Sequence, residues 1–167
     1  SVVVHRDRDY LSDEDLEQYK DTLHNVGIKV FITQGNDAES YFINGSHISE
    51  LYPQISLEKA NQLIDESLTE RRDAVIKKYI NTVHNRKLQE SYKGGDKPNA
   101  GEIGLRCTQN VDESPRDYMH GKTVEGTIRS RIQTEIGSHT DLCRVTPHIA
   151  DETLKIFASD IWSDDDA

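Results

Sequence analysis

Three consecutive β-branched residues, Val2-Val3-Val4, stand ahead of an acidic cluster, a capped amphipathic segment and a second apolar run. This succession limits the fold more than any other feature of the chain. β-Branched side chains favour an extended backbone, and the lack of polar alternation predicts a buried strand over Val2–His5. Ser12 predicts a helix start: it is a good N-cap, Asp15 stands three residues on as in a capping box, and Leu11 and Leu16 take the hydrophobic-staple positions. Leu16, Tyr19, Leu23 and Val26 make the apolar face, and Gly27 ends the helix. Lys29–Thr33 reads as the second strand. Strand, helix and strand within about thirty residues form a βαβ unit, which dictates a parallel pair and a right-handed crossover.

The remainder reads as mostly helical. From Asn36 the pattern is helical through Tyr41 and Ile43, breaks at Asn44-Gly45, resumes at Ser46 and stops at Pro53. Ser56 caps a longer helix, extending to about Leu88, with Leu57, Ala60, Ile64, Leu68, Val75, Tyr79 and Val83 roughly on one stripe. Lys93–Gly101 is a loop by composition, and Ile103–Cys107 is either a short strand or irregular chain. Gly121-Lys122 precedes a helix carrying Val124, Ile128, Ile132 and Ile136 and closed by Gly137. Pro147, behind Thr146, starts a last helix that ends near Trp162, ahead of the acidic Asp164–Asp166. The expectation is one α/β domain over 1–167, a small parallel sheet flanked by helices, with a helical insertion and loop over 54–100 and a helical C-terminus. An apolar strand directly after Ser1 is what a C-terminal fragment of a longer protein would show.

With 20 basic against 30 acidic residues the net charge is −10, which argues against non-specific coating of nucleic acid. It leaves room for an enzyme that meets DNA through a local patch, because a bound cation inverts the field around metal-binding carboxylates. Cys107 and Cys143 are too few for a disulfide framework and read as buried thiols. No stretch approaches the roughly 18 apolar residues of a membrane span, so a cytoplasmic location is expected. The histidines form no H-x-x-x-H pair, and P-loop, G-x-S-x-G and zinc spacings are missing, which disfavours serine or zinc hydrolysis.

Asp7 and Asp9 are the leading candidates for chemistry, because ligands of open parallel sheets sit beyond the carboxyl ends of the strands. An i, i+2 carboxylate pair leaving a strand can face one hard cation such as Mg²⁺ or Mn²⁺. The spacing alone is unspecific, since Asp13/Asp15 and Asp164/Asp166 repeat it. Glu39 follows the second strand closely and is either a third ligand or the partner of Asn36 in a capping box. Lys122 either offers a cation to a phosphate beside the amides of a helix end or is a solvated surface lysine. Arg71, Arg72, Lys77 and Lys78, with Arg86-Lys87, either follow a nucleic-acid backbone or form an ordinary solvated face.

The segments Val2–Leu11, Val30–Thr33 and Asp37-Ala38-Glu39-Ser40-Tyr41-Phe42 together resemble the Toprim domain of overcoming-lysogenisation-defect (OLD) nucleases and related ATPase-linked defence proteins. Asp117–Lys122 is similar to that group's late Gly-Lys element. The resemblance covers about residues 1 to 45 and 115 to 135. It implies a Toprim-like fold and a metal-dependent endonuclease acting on DNA in antiviral defence, with an ATPase module in the same or a partner chain; the sequence leaves the oligomeric state open, a homo-oligomer included. Carried over by position, Asp7 and Asp9 would be metal ligands, with Asp7 also catalytic, Glu39 a further ligand, and Lys122 the residue that stabilises the transition-state phosphate. Mg²⁺ or Mn²⁺ would then occupy a two-metal site with the ions roughly 3.5–4 Å apart. The family's upstream acidic residue and ATPase module have no counterpart in this sequence, so a weak or inactive isolated fragment is expected.

Two other readings compete. Haloacid-dehalogenase phosphatases also end a first strand in D-x-D, and Thr33 suits their second motif, but a later strand ending in paired acids is missing and Arg6 precedes the motif. Alternatively the chain is a non-catalytic regulatory or assembly domain whose Asp7, Asp9 and Glu39 make only caps and surface hydrogen bonds.

Overall fold

A computed structural model describes residues 2–164, with side chains through residue 159. Ser12 Oγ accepts the Asp15 N–H and the Asp15 carboxylate accepts the Ser12 N–H, so the capping box forms and α1 (Asp13–His24) begins where predicted. The helix connects β1 (Val2–Arg6) to β2 (Ile28–Ile32), and the two strands pair in parallel, Val2 beside Ile28 and Arg6 beside Ile32. The predicted βαβ unit is therefore present.

Its burial differs from expectation. Val2 and Val3 are 60% and 46% exposed, so β1 is not a buried strand. The cause is topological: among the described residues the sheet has two strands, β1 has β2 as its one neighbour, and α1 packs on β2.

The core lies instead among the helices. α3 (Leu57–Ser91) buries Ala60, Leu63, Ile64, Leu68, Val75, Ile76, Tyr79 and Val83, and packs on α2 (Gly45–Leu51), α4 (Ala100–Glu113) and α5 (Gly121–Ile136). Leu57, assigned to the same stripe, is half exposed. The segment read as a helical insertion and loop thus supplies the helix around which the core is assembled. α5 contributes Val124, Ile128 and Ile132, fully buried, and ends as predicted on a left-handed Gly137 at φ 68°.

Two stretches depart from the sequence reading. Ile103–Cys107 is neither strand nor irregular but part of α4: Asn99 Oδ1 caps it by accepting the Gly101 and Glu102 N–H groups. Ile103, Cys107 and Val111, spaced by four, are all buried. The last helix is interrupted. A 3-10 turn, Pro147–Ile149, is followed by α6 (Glu152–Asp164), because the Asp151 carboxylate accepts the Thr153 and Leu154 N–H groups and so starts a new helix. Asp165 and Asp166 of the acidic end lie outside the described residues. Of the two thiols read as buried, Cys107 is buried and Cys143 is exposed. Among the described residues no helix is long and apolar enough to cross a membrane.

Candidate functional site

The carboxyl end of β1 runs into a turn held from several sides. Arg8 donates its backbone N–H to Thr33 Oγ1 (3.0 Å), tying the turn to the end of β2. Asp9 donates to the Asn36 carbonyl (3.0 Å) and Tyr10 to Asn36 Oδ1 (3.2 Å). Asp9 and Tyr10 both have positive φ, 48° and 60°. Asp tolerates the left-handed region; a bulky aromatic there is a true outlier, and each such residue costs on the order of 1–3 kcal/mol. Tyr10 is nonetheless held by packing, its ring buried and stacked on Tyr79 at 4.1 Å, with Tyr118 also stacked on Tyr79 at 5.4 Å.

The second wall comes from the chain after β2. The capping box considered for Asn36 and Glu39 does not form: the 3-10 helix Ala38–Phe42 has Asp37 at its N-cap position. The buried Asn36 side chain is committed elsewhere, accepting from Tyr10 and donating to the carbonyls of Asp117 (3.2 Å) and Met119 (2.9 Å). One residue thus joins the β1 turn, the β2 exit and the approach to α5.

Asp37 completes that junction. Its carboxylate accepts the N–H groups of Gly121 (2.7 Å) and Lys122 (2.8 Å) and the Ser40 hydroxyl, with His120 Nδ1 at 3.3 Å. Glycine is required at 121, because a Cβ there would lie 2.3 Å from the Ser40 nitrogen. The helix-end amides considered for a phosphate are therefore already occupied by a carboxylate. The Lys122 side chain is 74% exposed and pairs with Glu39, Nζ 3.4 Å from Oε1. Sequence reasoning missed Asp37. Its signal was there, since Asp37 and Glu39 repeat behind β2 the i, i+2 acids found behind β1.

The electrostatics single out Asp7. Burial pushes its carboxyl above the usual range; His5 opposes this, Asp9 and Asp37 add to it, and the Ala38 backbone N–H lowers it slightly. Among the described residues Asp7 Oδ1 is buried without a hydrogen-bond partner, and His5 Nε2 stands 3.9 Å away. A carboxylate oxygen left without a protein partner, with Asp9 and Asp37 nearby, suits a cation by the chemistry of its donor set. Asp9 and Glu39 share the neighbourhood, since both act on His120, whose pKa burial lowers against the pull of Asp37. Yet among the described residues no three His, Cys, Asp or Glu side chains form a ready-made ligand group. Among the described residues the sequence-derived ligands do not form one ligand group, and Glu39 is paired with Lys122.

The four cations considered for a nucleic-acid backbone are dispersed. Arg72 makes a two-pronged pair with Asp112 (2.6 and 2.7 Å), and Arg71 donates to the Thr123 carbonyl. Lys77 borders a shallow depression with Ile76 and Ile80, whereas Lys78 acts on His120. A cleft of about 880 Å³ opens beside the β1 turn, with Arg8, Tyr10, Arg86, Lys87, Arg106 and Tyr118 in its walls. Among the described residues Lys87 and Arg106 make no salt bridge.

Set against known proteins, the chain matches no family model, no curated protein and no solved structure.

Proposed function

We propose that this chain is the metal-dependent nuclease module of a Toprim-like protein, hydrolysing phosphodiester bonds of DNA in concert with an ATPase module. The observation that carries this reading is Asp7 Oδ1, a buried carboxylate oxygen that has no donor among the described residues, at the carboxyl end of a parallel strand, beside Asp9 and Asp37. Mg²⁺ keeps several waters and takes one or two protein carboxylates plus substrate phosphates, seldom a full protein cage. Asp7 and Asp9 without a third protein ligand are consistent with that habit.

When bound, Mg²⁺ or Mn²⁺ supplies activation of the attacking water and charge neutralisation at the leaving oxygen. Asp7 and Asp9 would hold it. Lys122 would leave Glu39 for the scissile phosphate, its backbone kept in place by Asp37 while its exposed side chain swings. Lys87 and Arg106 in the adjoining cleft would neutralise flanking phosphates.

The competing reading is a non-catalytic assembly module, favoured by the exposed Val2 and Val3 on β1. Nicking of supercoiled plasmid in Mn²⁺, set against release of phosphate from small phosphoesters, decides between the classes. Weak cation-dependent nicking that is lost in Lys122→Ala is expected, about a 10²-fold fall where the parent rate is high enough to measure it. Absence of nicking together with no cation-induced rise in Tm would leave the assembly reading.

A further inference from the structure

Two consecutive non-glycine residues in the left-handed region need an external hold, and the β1 turn has one that does not come from the sheet. Arg86, near the end of α3, directs Nη1 to the Asp9 carbonyl (3.5 Å) and Nη2 to the Tyr10 carbonyl (3.3 Å). The same Nη2 is 3.8 Å from Asp15 Oδ2, an oxygen already fixed by the Ser12 capping box. A guanidinium can meet two adjacent carbonyls because its donors lie in one rigid plane; an ammonium, a single centre, cannot span them equally. On the opposite side Asn36 takes the N–H groups of the same two residues. All four backbone polar groups of Asp9 and Tyr10 are thereby gripped from outside the turn. Arg86 ties the carbonyls of the turn to the core helix, as the Tyr79 ring stacked on Tyr10 ties its side chain, and Val83, one turn before Arg86, is fully buried. Strain of this kind collects where a side chain must be aimed, since a relaxed loop would orient the carboxylate less narrowly.

We propose that Arg86 is a positioning residue for Asp9: by clamping the carbonyls of the strained Asp9-Tyr10 turn onto α3, it holds the Asp9 carboxylate beside that of Asp7 for a shared divalent cation. This rests on the cation reading above. Arg86 touches neither cation nor substrate; it acts through the backbone of its neighbour.

Terbium, a hard oxygen-seeking ion whose luminescence is excited through a nearby tyrosine, is the probe, with Tyr10 next to Asp9 as the sensitiser. The full chain and its variants are titrated at low temperature, with circular dichroism and thermal melting run in parallel. Arg86→Ala should weaken terbium binding by about 10-fold or more, the loss typical when support behind a metal ligand is removed. Millimolar methylguanidinium should restore it, which a general loss of stability would not allow. Arg86→Lys keeps charge and stem and so preserves the fold; it too should bind more weakly. Asp7→Asn separates the two claims. If Asp7→Asn loses terbium while Arg86→Ala and Arg86→Lys bind like the parent, the clamp is wrong and the cation site stands. If Asp7→Asn itself binds like the parent, the cation site is wrong and the clamp falls with it.

Discussion

Asp7 is a residue whose ionisation works against the fold that carries it. Its folded pKa lies above the ordinary value of 3.8, chiefly through burial, so the proton is held more tightly folded than unfolded. Such a group favours the folded state below the unfolded value and loses that contribution as pH rises through the folded one. At pH 7 the cation-free protein therefore carries a penalty, kept small by solvent screening of a carboxylate whose side chain is 38% exposed. Asp7→Asn should raise the Tm of the cation-free protein at pH 7 by on the order of 2 °C, with the gain vanishing near pH 3. The same substitution should abolish the rise in Tm that Mg²⁺ or Mn²⁺ gives the parent. Calorimetric scans with chelator and with cation measure both effects; a variant less stable at pH 7 yet still stabilised by cation contradicts the assignment. Asp9, Glu39 and Lys122 were legible as candidates because they follow strand ends or open a helix, which sequence pattern reveals. Asn36 and Asp37 were not read correctly, because their work is long-range. Asn36 reaches Asp117 and Met119, and Asp37 reaches Gly121 and Lys122, pairings that no local spacing encodes.

At the scale of elements, what was legible is what local chemistry decides. The Ser12 capping box, the parallel β1–β2 pair and the left-handed Gly137 all follow from residues within a few positions of one another. α4 escaped notice because Gly101 and Gly104 dilute its apolar spacing, and its cap Asn99 sits in a stretch that otherwise reads as loop. The break before α6 escaped although the Asp151 cap is local, because Pro147 offered an earlier helix start; distant groups then fix Asp151 in place. The Tyr41 hydroxyl donates to its carboxylate, Gln34 Nε2 approaches at 3.4 Å, and Phe31 and Phe157 rings meet at 5.8 Å. Burial works against the Asp151 charge, but bonds from Thr153, Tyr41 and the Leu154 amide hold its pKa below the ordinary value. Burial and the bond to Asp151 push the Tyr41 hydroxyl the other way, up to about 12. The signs define a window. The Asp151 contribution is complete above the unfolded value near 3.8 and is lost as pH falls through the lower folded value. The Tyr41 contribution is complete below 10.0 and is lost as pH rises towards 12. α6 should accordingly be most firmly docked between those limits and loosen first at either end, ahead of global unfolding. The Thr153 and Leu154 amide signals report this directly. Tyr41→Phe should cost about 1 kcal/mol at pH 7 and erase the alkaline limb; an unchanged alkaline limb would place the titration elsewhere.

For the whole molecule, the division between a thin sheet and a thick helical core sets where motion is allowed. The cluster that joins α2, α3, α4 and α5 includes Ile48, Ile64, Val75, Cys107, Val124 and Ile128, each at most 1% exposed, so those helices can open only together. Among the described residues β1 has one strand partner and an exposed apolar face, and its amides can open at a fraction of the global cost. The proposed site lies on the seam between these regions: Asp7 and Asp9 hang from the weak strand, while Lys122 and Arg86 belong to the strong helices. A cation held by Asp7 and Asp9 would therefore stabilise the weaker side selectively, since binding adds free energy only to conformations that keep both carboxylates in place. Native-state hydrogen exchange at pH 7 should show the central amides of α3 and α5 exchanging at the global limit and those of β1 faster by at least about 10²-fold, equivalent to roughly 2.7 kcal/mol. Addition of Mn²⁺ should slow β1 and the Asp9-Tyr10 turn while leaving α3 near its former rate until the global limit itself rises. Uniform slowing across strand and helices would mean that the cation is not bound at the end of β1.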